Sequence, residues 1–188
     1  MFRFLSCTAL AVLAGFAGIA PALAQGTDEE KIEAALASAP PEVSAGARVL
    51  DWPSEPGGDF RVLREGDNGW TCLPDPPADD NFEPMCNDAE WMAWFRSYVS
   101  GEEPQTGRMG ISYMLNSRWA TSNVDPTATE ATPDNMWVEG GGHVMIIVPD
   151  EAMLSQYPTE PGPGAYVMWP GTPWVHLMLP MEELVGHP

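Results

Sequence analysis

Length, composition and charge indicate an acidic chain with enough residues for one domain. The sequence has 188 residues, and its 27 acidic and 8 basic side chains give a net charge of -19 at neutral pH. Nucleic-acid binding needs a basic footprint, so this balance excludes it as an ordinary function and disfavours anionic membranes.

The distribution of charge restricts the ligand further. After Arg118 the sequence contains no Lys or Arg, whereas nine acidic residues follow it. A site in this half has no guanidinium with which to clamp a phosphate or carboxylate. The remaining partner classes are a cation, a small molecule such as a sugar or an apolar compound, or another protein.

The N-terminal residues have the pattern of a secretory signal. A basic Arg3, an apolar run from 10 to 19 and the small residues before Gln25 match its three parts, with cleavage near Ala24. No later stretch approaches the roughly 20 apolar residues of a membrane span. We therefore predict a periplasmic or secreted protein with a signal peptide at 1–24, a leading helix and linker at 25–41, and a single globular domain at 42–188.

Two cysteines remain after the predicted cleavage, because Cys7 belongs to the signal. Cys72 and Cys86 enclose 13 residues rich in Pro and Asp. In an exported chain such a pair predicts a disulfide, which would stabilise the fold by roughly 3 kcal/mol.

The first half of the domain reads as a helix followed by short strands. Thr27 and Glu30 form a capping box for the leading helix, which ends before Pro40. Strands are predicted at 48–52 and 59–65, and the Asn-Gly sequence at 68–69 predicts a hairpin into 70–72. The loop at 75–85 carries four carboxylates, which are interpreted as a solvated acidic loop, with a calcium site as the alternative.

The clearest helix in the chain carries an aromatic face. A capping box at Asn87 and Glu90 begins it, and Gly101 ends it. The spacing of its rings predicts that they share one side of a 3.6-residue helix; these rings are Trp91, Trp94, Phe95 and Tyr98. We interpret this side as core packed against a sheet, with a stacking platform for a sugar or aromatic ligand as the alternative.

The second half predicts further strands. They lie at 108–115, 136–139, 143–148, 165–169 and 174–179, with a short helix at 151–156 and a long loop at 116–135. The glycine run at 140–142 permits a bulge or a close backbone approach. The fold class predicted is α+β, mainly antiparallel β, as a small sheet of five to seven strands or a partly open barrel with one aromatic helix packed on it.

Two His-x-Met pairs are the polar constellation that stands out. His143 precedes Met145 by two residues, and His176 precedes Met178 by the same spacing. Residues two apart on a strand point to one face, so four ligands converge if the strands are neighbours. Imidazole and thioether suit Cu(I), which is therefore the candidate cofactor.

Two alternatives compete with a copper site. In the first, the methionines fill the core and hydrogen bonds satisfy the histidines. In the second, the segment 143–145 aligns with 174–176, which would place the histidines on opposite faces.

The spacing of these residues is similar to that of periplasmic copper chaperones of the small Greek-key type. In this sequence the resemblance covers His143, Met153, His176 and Met178, the last pair following Pro170 and Gly171. It implies copper binding. The segments GWTC, ISYML, HVMIIVPD and YVMW with GTPWVH resemble exported bacterial proteins of unknown function, which implies no activity.

These observations give one leading function and two alternatives. The leading hypothesis is an exported binding or interaction domain, since the sequence shows no catalytic signature and assigns no catalytic residue. The first alternative is Cu(I) binding by the two His-x-Met pairs. The second is a hydrolase that uses carboxylates such as Glu139, beside the glycine run.

Overall fold

A computed structural model describes residues 26–55, 58–77, 80–104 and 107–181, so the predicted signal peptide lies outside the described residues. Helices are α1 (Asp28–Leu36), α2 (Pro41–Ser44), α3 (Ala89–Ser100) and a 3₁₀ helix (Glu151–Gln156). Strands are β1 (Arg48–Asp51), β2 (Arg61–Arg64), β3 (Thr71–Leu73), β4 (Met85–Asn87), β5 (Gly110–Met114), β6 (Trp119–Ser122), β7 (Trp137–Gly140), β8 (His143–Ile147), β9 (Tyr166–Met168) and β10 (His176–Pro180). Within the described ranges no helix has the length and apolar character needed to cross a membrane.

Eight strands form one open sheet in the order β2-β1-β3-β4-β5-β8-β10-β9, and β6 pairs with β7 in a separate ribbon. The pairing of β1 with β3 is parallel, and the other pairings are antiparallel. The predicted α+β, mainly antiparallel class is therefore confirmed, as an open sheet. The described residues form ten strands where five to seven were predicted. The strands that were not predicted are β4, which has only three residues, and β6.

The predicted hairpin of β2 with β3 is wrong, because β1 lies between them. The Asn-Gly segment crosses over the chain before β1: the Asn68 side chain donates to the carbonyl of Val43 at 2.7 Å, and the N–H of Asp67 donates to the carbonyl of Gly46 at 3.0 Å. At Gly66 a Cβ would lie 2.2 Å from the N of Arg48. These contacts fix the connection between β2 and β3 as a crossover. The Asn-Gly sequence, which predicts a tight hairpin turn, is therefore part of a longer connection.

The predicted loop at 116–135 contains a strand. Its first part is β6, and its pairing with β7 places Trp119 opposite Gly140. A Cβ on Gly140 would lie 2.5 Å from the indole of Trp119. The close approach predicted for the glycine run is therefore confirmed, and it seats this tryptophan against the backbone.

Helix α1 has the capping box predicted at Thr27 and Glu30. It packs on the edge of the sheet, where Lys31 and Arg61 contact the carboxylate of Asp51 at 2.9 and 2.7 Å. Burial raises the pKa of Asp51, but the hydrogen bonds from these two cations outweigh it and hold that pKa below its usual range. The ion pairs thus fasten α1 to β1 and β2.

Helix α3 begins one residue later than predicted. Asn87 ends β4, and the N-cap is Asp88, whose side chain accepts from the N–H of Trp91 at 2.7 Å and from the N–H of Ile111 at 2.8 Å. The cap therefore joins α3 to β5. The predicted end at Gly101 is confirmed, with a left-handed φ of 72°.

The predicted disulfide between Cys72 and Cys86 is present. The two residues are directly opposite in the β3–β4 pairing, and both are fully buried. The bridge therefore ties the centre of the sheet to the strand that leads into α3.

Replacing both cysteines by alanine should lower the free energy of unfolding by roughly 3 kcal/mol, because the unfolded chain loses a closed loop. Urea unfolding of the oxidised protein and of the Cys72→Ala, Cys86→Ala variant measures this difference. Reductant should lower the midpoint of the wild type and leave that of the variant unchanged. A wild-type midpoint that does not respond to full reduction would contradict a stabilising bridge.

Candidate functional site

A cavity of about 730 Å³ lies between α3, the β6–β7 ribbon and one face of the large sheet. We call it the aromatic cavity, since seven aromatic side chains line it: Trp91, Trp94, Phe95, Tyr98, Trp119, Trp137 and Trp169. Five methionines and two histidines also line it, namely Met85, Met114, Met145, Met168, Met178, His143 and His176. The cavity therefore gathers both predicted His-x-Met pairs and the predicted aromatic face of α3.

The pairing of β8 with β10 decides how the His-x-Met pairs lie. In the antiparallel register Met145 is opposite Met178, and His143 is opposite Pro180. Opposed residues share a face and so do residues two apart, which places both histidines and both methionines on the face that lines the cavity. The alternative alignment of 143–145 with 174–176, which separates the histidines, does not occur.

The two histidines are nevertheless displaced along the strands. His143 is level with Pro180, four residues from His176, which corresponds to roughly 13 Å of strand. The opposed pair of methionines at 145 and 178 lies between them. The patch is therefore elongated, with a histidine at each end.

Each histidine also has a methionine directly across from it on its outer neighbour. Met114 of β5 is opposite His143, and Met168 of β9 is opposite His176. Neither methionine was predicted from the sequence as a site residue. The alternation of side chains within the strands ISYM and YVM shows which face each methionine occupies. Placing them beside the histidines also requires the order of the strands in the sheet, which the sequence does not give.

The His176 side chain contacts a backbone carbonyl and is otherwise packed among apolar side chains. Its Nδ1 lies 2.9 Å from the carbonyl oxygen of Trp174, so Nδ1 carries the proton and donates it. Only 1 % of the residue is exposed. Its Nε2 has no hydrogen-bond partner among the described residues, which leaves a buried lone pair on a residue that lines the cavity.

Three indoles surround this imidazole edge-on. The ring centroids of Trp91, Trp94 and Trp169 lie 5.6, 5.6 and 5.0 Å from that of His176. Trp169 also stacks on Tyr98, with centroids 5.3 Å apart and planes at 17°. The four rings form a cage with the imidazole at its inner end.

Trp169 adopts a backbone conformation that a bulky residue rarely takes. Its φ is 54°, and such strain persists only where neighbouring contacts impose it, often at functional sites. Here its N–H donates to the carbonyl of Asn123 at 2.8 Å, and its indole N–H donates to the carbonyl of Ser122 at 2.9 Å. Residues after β6 therefore hold the indole in position against the cavity.

Burial, with a smaller contribution from the nearby His143, lowers the pKa of His176 to about 4, although the hydrogen bond to Trp174 acts in the opposite direction. The imidazole is therefore neutral at physiological pH. A neutral ring with Nδ1–H fixed on a carbonyl presents Nε2 as an acceptor or as a metal ligand.

His143 repeats this backbone contact at the other end of the patch. Its Nδ1 lies 2.8 Å from the carbonyl oxygen of Gly141, two residues earlier in the chain. Nδ1 of His176 has the same relation to the carbonyl oxygen of Trp174. The indole N–H of Trp119 is 3.0 Å from the carbonyl oxygen of Gly141. The same indole N–H also donates toward Nδ1 of His143 at 3.0 Å, and the Ser117 hydroxyl lies 3.2 Å from that nitrogen, so among the described residues Nδ1 of His143 has three polar neighbours where Nδ1 of His176 has one.

Other predicted residues do not line the cavity. Met153, part of the chaperone-like spacing, is 47 % exposed on the 3₁₀ helix. Glu139, the candidate of the hydrolase alternative, is exposed on β7. In the part of the chain that the structure describes, no group of three or more His, Cys, Asp or Glu side chains is arranged to hold a metal ion.

Replacing His176 by phenylalanine should make stability less dependent on pH. Between pH 6.5 and 4 the unfolded chain takes up a proton at His176 that the native state refuses, so native stability falls as the pH falls. Between pH 7.5 and 4 the free energy of unfolding of the wild type should fall by on the order of 3 kcal/mol more than that of the variant. Urea unfolding at both pH values measures the difference, and equal losses in the two proteins would show that the imidazole is not buried in its neutral form.

Similarity to known proteins gives the cavity no precedent. No family model matches this chain, and neither the curated proteins nor the solved structures contain a significant match. The geometry of the cavity is therefore the basis on which a function can be proposed.

Proposed function

We propose that this protein is a binding domain whose ligand is a small molecule held in the aromatic cavity. The observation that carries the proposal is the cage around His176, in which a strained tryptophan and two further indoles surround an imidazole whose Nε2 has no partner among the described residues. A purely structural core would gain nothing from a strained ring beside an unsatisfied acceptor.

The size and lining of the cavity support a small-molecule ligand. Its volume of about 730 Å³ falls within the range of ligand sites, which are mostly apolar with a few placed polar groups. Here the rings and thioethers supply the apolar surface, and His176 supplies the placed polar atom. The acidic loop and the β6–β7 ribbon complete the wall.

Binding should depend on Trp169 and not on a tryptophan elsewhere. A panel of small aromatic compounds, some neutral, some cationic and some anionic, should contain binders detectable by ligand-observed NMR and calorimetry. Trp169→Leu should weaken them roughly tenfold or more by removing a stacking wall. Trp70→Leu is the matched control, since Trp70 packs on Tyr113 and does not line the cavity.

Two results would contradict the proposal. One is a panel without any binder to the folded wild type. The other is an equal loss of affinity in the two variants, because this would mean that binding follows general stability and not the cavity.

Cu(I) binding is the second candidate, and a specific observation favours it. The register of β8 and β10 places His143, Met145, His176 and Met178 on one face, and His176 holds its Nδ1 proton on a carbonyl as metal-ligating histidines do. Met114 and Met168 supply an extra thioether beside each histidine. Each end of the patch thus offers one imidazole and two thioethers, a soft set that suits Cu(I).

Titration with Cu(I) under reducing conditions, followed by intact mass, tests this candidate. We expect bound copper in the wild type and a loss of affinity of at least tenfold in the Met145→Leu, Met178→Leu double variant, since soft ligands are removed while volume is kept. The control is Met109→Leu, Met153→Leu, which alters two exposed methionines. Absence of copper from the wild type, or equal copper binding by the two double variants, would exclude it.

A further inference from the structure

The groups that line the aromatic cavity are rich in electrons and poor in positive charge. Aromatic faces, thioether sulfurs and the Nε2 lone pair of His176 all attract a cation. Asp80 and Glu83 add two carboxylates to the wall, and among the described residues that line the cavity there is no Lys or Arg. None of these described lining residues offers an anionic ligand a Lys or Arg donor.

One of these carboxylates, Glu83, lies close enough to Tyr98 to influence its titration. Burial raises the pKa of Tyr98, and the negative charges of Glu83 and Asp125 raise it further. Asp80 is exposed and Glu83 is half-buried, whereas His176 is almost fully buried. The acidic outer wall and the electron-rich inner cage therefore both attract a cation, so the electrostatic potential favours it along the whole cavity.

The inner cage offers a hydrogen-bond acceptor as well as aromatic faces. A desolvated cation gains about 2 kcal/mol or more from an aromatic face, but burial of a charge without a hydrogen-bond partner is costly. The Nε2 of His176 is an acceptor without a partner among the described residues, and Trp91, Trp94 and Trp169 surround it. An N–H group on the cation would satisfy this acceptor.

We propose that the ligand of the aromatic cavity is an organic ammonium ion, a protonated amine with an apolar substituent, whose N–H donates to Nε2 of His176 while the indoles surround its charge. This inference rests on the proposed small-molecule binding and names the chemical class of the ligand. The apolar substituent lies against the methionines of β8 and β10, and the acidic wall attracts the cation to the cavity.

Four probes of similar size separate the contributions. N,N-dimethylbenzylamine, protonated at neutral pH, has one N–H, and benzyltrimethylammonium has the charge without the N–H. Benzyl methyl ether is neutral, and phenylacetate is anionic. In calorimetry at pH 7 the protonated amine should bind wild-type protein at least tenfold more tightly than the ether, and phenylacetate should bind weakest of the four.

The His176→Phe variant tests the hydrogen bond while keeping a ring in the cage. A hydrogen bond from a charged donor corresponds to roughly 10- to 100-fold in affinity, so the protonated amine should lose about that factor. The quaternary ion has no N–H to donate, and its affinity should change less than threefold. Glu83→Gln should weaken both cations by a few fold and leave the ether unchanged.

The outcomes distinguish this inference from the proposed function. If the ether or phenylacetate binds the wild type as tightly as the amine, small-molecule binding stands and the ammonium assignment is overturned. If His176→Phe weakens the amine and the quaternary ion equally, the hydrogen bond to Nε2 is overturned. If none of the four probes binds, and the wider aromatic panel also gives no binder, the proposed function fails together with this inference. Should His176→Phe not fold, the comparison of the four probes on wild-type protein still decides the ligand class.

Discussion

The antiparallel register between β8 and β10 is the constraint on which the site depends. Opposing Met145 with Met178 brings two His-x-Met pairs to one face, and a shift of one residue would turn one pair to the other side of the sheet. The buried side chains of the opposite face, such as Leu177 packed with Leu154 and Val167, fix the register, since a slip would expose them. The apolar core on one face therefore determines the chemistry on the other.

Helix α3 closes this face and converts a patch into a cavity. Asp88 caps the helix and also accepts from the N–H of Ile111, so the position of the helix is tied to the strand beside β8. Asn87 precedes that cap and closely follows Cys86, whose disulfide joins β4 to β3. The disulfide positions β4, the Asp88 cap positions α3 after it, and the aromatic face of α3 in turn supplies rings to the cage around His176. The strained Trp169 completes it from the opposite side.

The sequence predicted the parts of the molecule that depend on local patterns. The capping box at Thr27, the aromatic face of α3 and the disulfide need only spacing or composition. The His-x-Met pairs were also visible, because a period of two is a local property of a strand. None of these patterns shows which strands are neighbours.

Non-local packing accounts for what the sequence did not predict. The Asn-Gly segment at 68–69 crosses β1 because its hydrogen bonds go to Val43 and Gly46, more than twenty residues earlier. Strand β6 was missed because its partner is β7, across a loop. Met114 and Met168 belong to the site only through the order β5-β8-β10-β9. The cage also requires Trp169 to adopt a left-handed backbone conformation, which the conformational preferences of tryptophan do not favour.

The protonation state of His176 is the most direct test of the account, because a neutral imidazole with an available Nε2 is common to the cage, the cavity and its ligand. Long-range proton–nitrogen NMR on wild-type protein at pH 7, assigned with the His176→Phe variant, reports each ring nitrogen separately. The structure predicts a proton on Nδ1 and none on Nε2, with the same pattern retained at pH 5. A protonated Nε2, or a doubly protonated ring at neutral pH, would contradict the account.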